Sequence, residues 1–194
     1  LQLWMGALER LNRTGITKLV AVHRGFHTYD TTPFRNAPKW DLVIELKSVF
    51  PDLPIICDAS HICGSTELIP YISQKAMDLD LDGLMLETHC NPSVALSDAQ
   101  QQITPLHLNE IITALQIRDS HSENEEFKSK LMLLRDKINC TDEELLQLLA
   151  QRMKMVEEIA AFKRDNKVTI LQVNRWKEIL KSQMNSGLAL GLSE

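Results

Sequence analysis

The chain has 194 residues, 44% of them hydrophobic and 24% charged, which describes a globular protein able to bury a core and excludes a long disordered tail. A net charge of -5 and a pI near 5.7 argue against a general nucleic-acid binder, so any anion site must gather its cations locally. Cys57, Cys63, Cys90 and Cys140 form no CxxC pair, and no apolar run approaches the roughly 20 residues that span a bilayer. A reducing, cytoplasmic setting without membrane contact is therefore expected.

In chain order, Leu3, Trp4, Ala7, Leu8 and Leu11 keep helical spacing up to Gly15, and residues 18–22 read as a buried strand. The alternation then repeats: a helix over 38–50, a strand over 54–57, a helix over 67–79, a strand over 83–86 and a helix over 105–115. Such alternation is the grammar of parallel βα units, and by count it makes half of a (β/α)8 barrel over residues 1–116. Residues 117–125 are almost all polar and read as a linker.

From there to Arg164 the sequence holds no Gly or Pro, which predicts one helix of about 40 residues opened by a Ser122–Glu125 capping box; a second box, Thr141–Glu144, would split it. Asn166 is the expected stop, residues 168–171 a turn, and 172–184 a further helix. The chain opens at Leu1 inside an amphipathic pattern and ends at Glu194 without a closing element, as a fragment would.

In parallel barrels the reactive side chains follow the carboxyl ends of the strands, where the βα loops converge. His23-Arg24-Gly25 follows the first strand, Asp58-Ala59-Ser60-His61 the second and Glu87-Thr88-His89 the third, with Asp98 in the next loop. Taken alone, each reads more readily as a surface loop residue than as a ligand. Together, His61, Glu87 and Asp98 make an N/O ligand set for a divalent transition metal acting as a Lewis acid. Arg24 suits a bidentate contact with phosphate or carboxylate, or a structural salt bridge. Cys57, Cys63 and Cys90 read as packing residues.

The long helix carries a separate signal. Leu131, Leu134, Ile138, Leu145, Leu149, Val156 and Ile159 recur in steps that make one stripe, expected to be buried, and Arg152 and Lys163 fall in phase with it. Buried cations require an anion; a dicarboxylate ligand would supply it, as would pairing with Glu157, Glu158 or Glu178, or snorkelling to solvent. Arg135 lies about 100° around the helix from that stripe, so one ligand held by all three cations needs a second chain.

The runs His23-Arg24-Gly25, Phe34-Arg35-Asn36, Asp58-Ala59-Ser60-His61, Asp82-Gly83-Leu84 with Glu87-Thr88-His89, and Ala95-Leu96-Ser97-Asp98 with Gln101 resemble the DAHP synthase family in order and spacing. The resemblance covers nearly all of residues 1–116. It implies the carboxyl half of a TIM barrel that condenses phosphoenolpyruvate with erythrose 4-phosphate. His61, Glu87 and Asp98 would bind a metal of the Mn, Fe, Zn or Co class, and Arg24 would contact phosphoenolpyruvate. The family's cysteine ligand and catalytic lysine lie on earlier strands that this sequence does not contain. Ala59 replaces the usual Pro, Ser65-Thr66 stands where Arg is common, and Asp80 takes a usual Gly position.

Residues 126–184 resemble the first two helices of the all-helical chorismate mutase family through Leu134-Arg135-Asp136-Lys137-Ile138, Leu148-Leu149-Ala150-Gln151-Arg152, Ala161-Phe162-Lys163, Gln172 and Arg175. The implied domain, 126–194, is all-α and lacks the third helix. The resemblance implies a homodimer rearranging chorismate to prephenate. Arg152 and the partner's Arg135 would hold the carboxylates and Lys163 would donate to the ether oxygen, with Gln172 and Arg175 completing the set. Gln172 takes an often acidic position and Trp176 replaces a usual Glu.

The leading expectation is thus a bifunctional aromatic-pathway enzyme, transferase and isomerase, whose helical domain also regulates the barrel. The alternative is a non-catalytic, dimerising module that binds chorismate or prephenate. A sugar-acid synthase using another aldehyde is disfavoured by the attached mutase-like region.

Overall fold

The computed structural model describes residues 1–29, 31–119 and 121–192, which divide into two compact units, Leu1–His121 and Ser122–Glu194. Ser120, within the expected linker, and Ser193 and Glu194, at the end of the expected helical domain, lie outside the described residues.

The first unit runs α1 (Gln2–Arg13), β1 (Ala21–His23), α2 (Trp40–Val49), β2 (Ile55–Asp58), α3 (Ala59–Cys63), α4 (Ile69–Asp78), β3 (Gly83–Met85), a 3₁₀ turn (Pro92–Val94) and α5 (Pro105–Ala114). Its strands form one parallel sheet in the order β1-β2-β3, with α2 crossing from β1 to β2 and α4 from β2 to β3, as parallel neighbours require.

β1 starts three residues later than the expected strand over 18–22. Register explains the shift: Ala21 pairs with Ile55, so Val20 would face Pro54, which has no N–H to donate. Pro54 instead accepts from Ala21 N at 2.9 Å, and the ladder opens there. At the other edge, Asp82 Oδ2 accepts from Ile55 N at 2.8 Å and starts the β2–β3 pairing.

β2 is the central strand, and the core is built around it. Ile55 and Cys57 are fully buried together with Leu46 of α2, Ile62 of α3, and Ile69, Ile72 and Ala76 of α4. Each large aliphatic side chain so placed contributes about 1.5–3 kcal/mol, which anchors β2 in the core. The short helix α3 was not expected. Asp58, the last residue of β2, is its N-cap and Gly64, at φ +69°, ends it.

The second unit is α6 (Glu125–Asp165) and α7 (Val173–Ala189). Asn124, not Ser122, caps α6: its side chain accepts from Phe127 N at 3.1 Å, while Ser122 Oγ accepts from Asn124 N. Thr141 does not split the helix, because its hydroxyl donates backwards to Lys137 O at 2.9 Å. Asn166 is the C-cap, and α7 runs five residues past the expected 184.

The expectation of a buried stripe is corrected. Ile138 is 58% exposed and Leu149 56%, and no residue of α6 or α7 is buried within the chain. An amphipathic stripe is buried only against another apolar surface, and the 17 residues of α7 do not provide one along the 41 residues of α6. Among the described residues, no helix is long and apolar enough to cross a membrane.

Candidate metal centre

The site is built outward from the end of β2. Asp58 Oδ1 accepts from His61 N at 3.1 Å, the capping bond of α3, while Asp58 Oδ2 lies 2.7 Å from His61 Nδ1. One carboxylate thus fixes both the backbone and the ring of the same residue. With Nδ1 engaged, Nε2 is turned to Glu87 Oε1 at 3.4 Å.

Glu87 comes from the loop after β3. Its backbone N–H donates to Ser60 Oγ at 2.9 Å and its carbonyl accepts from Ile103 N at 3.0 Å, so the loop is held against α3. Asp98 sits at φ +47°, a left-handed conformation that Asp tolerates better than most residues. Donor atoms of His61, Glu87 and Asp98 all lie within 4.8 Å of one another. One imidazole and two carboxylates at that spacing fit a divalent transition ion.

Phe34-Arg35-Asn36 form a second wall. Gly25, at φ +73°, lets Phe26 pair with Ala37, since a Cβ there would lie 2.7 Å from Asn36 O. Asn36 Nδ2 then donates to His61 O at 2.9 Å, and Arg35 N donates to Cys63 O. Arg35 Nη1 donates to Asp98 Oδ1 and to Gln101 Oε1, each at 2.9 Å, and Gln101 Nε2 donates to Glu87 Oε2 at 3.0 Å. A cavity of about 600 Å³, lined in part by Arg35, Ser65, Asp98 and Gln101, opens beside this network. Asp58, Arg35 and Gln101 were given no role by the sequence. Asp58 left a local signal in the capping spacing to His61, while Arg35 and Gln101 stood only within the runs that carry the family resemblance.

Arg24 Nε lies 3.8 Å from Asp58 Oδ2 with its side chain 57% exposed, so the guanidinium is near the Asp58 carboxylate and still open to solvent. His89 is not in the cluster, and its Nδ1 accepts from Asn91 N at 3.0 Å. His23 is 1% exposed among the rings of Trp4, Phe26 and Trp40, and burial lowers its pKa from 6.5 to about 4, an effect that the Pro38 carbonyl opposes. Neither of its ring nitrogens has a partner of hydrogen-bonding geometry among the described residues. Burial raises the thiols of Cys57 and Cys63 to about 12, which fits packing residues.

The helical unit is less assembled. Arg135 and Arg152 are exposed and make no hydrogen bond or ion pair with described residues. Lys163 Nζ donates to Ile170 O at 2.9 Å, and Arg175 pairs with Glu178 at 3.1 Å. Gln172 is the N-cap of α7 without a side-chain cap bond. A hollow at Glu158, Ile159, Phe162 and Lys163 does not include Arg152. Arg152 is thus not part of the hollow beside Lys163, on a helix that no other described element covers along its length.

A parallel sheet carrying an N/O ligand cluster just past its carboxyl ends defines a candidate metal-dependent α/β enzyme unit. The family model described as DAHP synthetase I family matches residues 1–123, and the chain belongs to that family. The model described as chorismate mutase type II matches residues 134–194. Among curated relatives, a phospho-2-dehydro-3-deoxyheptonate aldolase of Thermotoga maritima is 30% identical over 95 residues, covering 49% of this chain and 28% of that protein. A 2-dehydro-3-deoxyphosphooctonate aldolase of Francisella philomiragia is 31% identical over 77 residues, covering 34% of this chain and 28% of that protein. The chain therefore spans less than a third of the length of these relatives. A crystal structure of the Thermotoga maritima DAHP synthase is 27% identical, with a TM-score of 0.47, covering 53% of this chain and 30% of that one.

Proposed function

We propose that Leu1–His121 is the carboxyl half of a (β/α)8 barrel that condenses phosphoenolpyruvate with erythrose 4-phosphate, joined to a domain that rearranges chorismate to prephenate. The convergence of His61, Glu87 and Asp98 within 4.8 Å carries the first half of this reading. An ion held there, of the Mn, Fe, Zn or Co class, would supply Lewis acidity toward the aldehyde carbonyl. The chain's own residues do the rest. Asp58 holds the His61 ring in the tautomer that presents Nε2, and Arg24, exposed at the same strand end, offers an anion contact for phosphoenolpyruvate.

For the helical unit, the family match over 134–194 and the exposed stripe of α6 support a homodimer. A second copy would cover the stripe and bring its own Arg135 toward Arg152 and Lys163, where the cations stabilise the charge growing on the ether oxygen. Ligand occupancy of that domain would regulate the barrel. The separation of Arg152 from Lys163's hollow within one chain favours a second reading, a dimerising module that binds chorismate or prephenate without turnover.

The test combines three measurements on the chain: Mn²⁺ binding, Mn²⁺-dependent consumption of phosphoenolpyruvate in the presence of erythrose 4-phosphate, and loss of chorismate absorbance. Metal binding abolished by His61→Ala supports the centre. Chorismate binding without absorbance loss selects the module.

A further inference from the structure

We propose that Gln101 and Arg35 are positioning residues that hold the Glu87 and Asp98 carboxylates in register for the metal; the inference rests on the metal-site reading above. Gln101 is 1% exposed and uses both ends of its amide: Nε2 donates to Glu87 Oε2 at 3.0 Å and Oε1 accepts from Arg35 Nη1 at 2.9 Å. The same Nη1 donates to Asp98 Oδ1 at 2.9 Å. An Nη nitrogen carries two hydrogens, so both bonds are satisfied at once.

The result is a chain of contacts, Asp98–Arg35–Gln101–Glu87, that closes at His61 through the 3.4 Å approach of Glu87 Oε1 to Nε2. One oxygen of each carboxylate is committed to the protein. The other is left for an ion. Glu87 Oε1, on the His61 side, is the oxygen so freed.

The residue types follow from the task. A side-chain amide can donate to one neighbour and accept from another at once, whereas an ionised Glu at 101 would set two carboxylates against each other. Two acidic ligands without an ion repel, and the Arg35 guanidinium beside them offsets that repulsion. Arg35 is itself located by backbone bonds to α3 and by Gly64, whose missing Cβ would sit 2.6 Å from Arg35 Cβ. The supporting shell is therefore tied to α3, in the packed core of the unit, and through Arg35 it holds the exposed Asp98 carboxylate beside Glu87. Such partners change metal affinity about 10- to 100-fold when removed.

The experiment is Mn²⁺ binding to the full chain by electron paramagnetic resonance, alongside thermal unfolding, for the wild type, His61→Ala, Gln101→Met and Arg35→Met. The expected result is binding that His61→Ala abolishes and that Gln101→Met and Arg35→Met each weaken about 10-fold or more, with an altered bound-Mn²⁺ spectrum. Arg35 is half exposed, so its own replacement opens no cavity in the core, and thermal unfolding reports what Gln101 Oε1 loses with its donor. Wild-type affinity and spectrum in both folded variants, with only the unfolding midpoint lowered, would overturn the positioning role. Tighter binding by Arg35→Met would overturn it too, making Arg35 a competitor of the ion. Failure of the wild type to bind Mn²⁺ would instead sink the metal-site reading, and the inference with it.

Discussion

Asp58 and His61 are joined twice, by the 3.1 Å capping bond to the backbone N–H and by the 2.7 Å contact with the ring. The two bonds separate under mutation. Asp58→Asn keeps a good N-cap but removes the charge that supports the ring, so Mn²⁺ affinity should fall about 10- to 100-fold while the unfolding midpoint hardly moves. Asp58→Ala should lose the affinity and also about 1 kcal/mol of stability. Equal Mn²⁺ affinities for Asp58→Asn and the wild type would show that the ring needs no such support.

Gly64 is required twice over, by φ +69° and by Arg35 Cβ lying 2.6 Å from where its own Cβ would be. Gly64→Ala should cost about 1–2 kcal/mol from the left-handed backbone alone. It should also push Arg35 off Asp98, so Mn²⁺ affinity falls with stability. Chemical denaturation and Mn²⁺ titration of the same sample check both.

His23 gives the first unit an acid limit. Its pKa is about 4 when buried and 6.5 when free, so below pH 6.5 the unfolded chain takes up a proton that the folded chain refuses. Stability should be intact above that pH, decline as pH falls from 6.5 toward 4, and level off below. The full loss is about 3 kcal/mol, since each tenfold drop in the ring's proton affinity on folding corresponds to about 1.4 kcal/mol. Denaturation followed by the fluorescence of Trp4 and Trp40, which face the ring, should show this slope, and His23→Leu should flatten it.

The stripe on α6 should close against a second copy. Sedimentation of the wild type should give a dimer, and Ile138→Glu with Leu149→Glu a monomer of reduced helical signal. A monomeric wild type with full helicity would remove the basis for a shared site.

Cys57 and Cys63, held near 12 by burial, should resist alkylation at pH 8 in the folded chain and react only after unfolding. Cys90, which is exposed, should react at once. Mass spectrometry of the labelled peptides distinguishes them.

What the sequence determined by itself was local. Apolar spacing, and for α6 the absence of Gly and Pro, placed each described helix of ten residues or more, because a helix closes its hydrogen bonds within a few residues. Motif order brought out His61, Glu87 and Asp98. What only the tertiary structure decided depended on partners far along the chain: the start of β1 is set by Pro54, more than 30 residues away, and the Arg35–Asp98 bond spans 63 residues. The apolar stripe of α6 was legible as a pattern, but its exposure was not. Periodicity states which face wants to be covered, whereas burial depends on whether any surface is there to cover it.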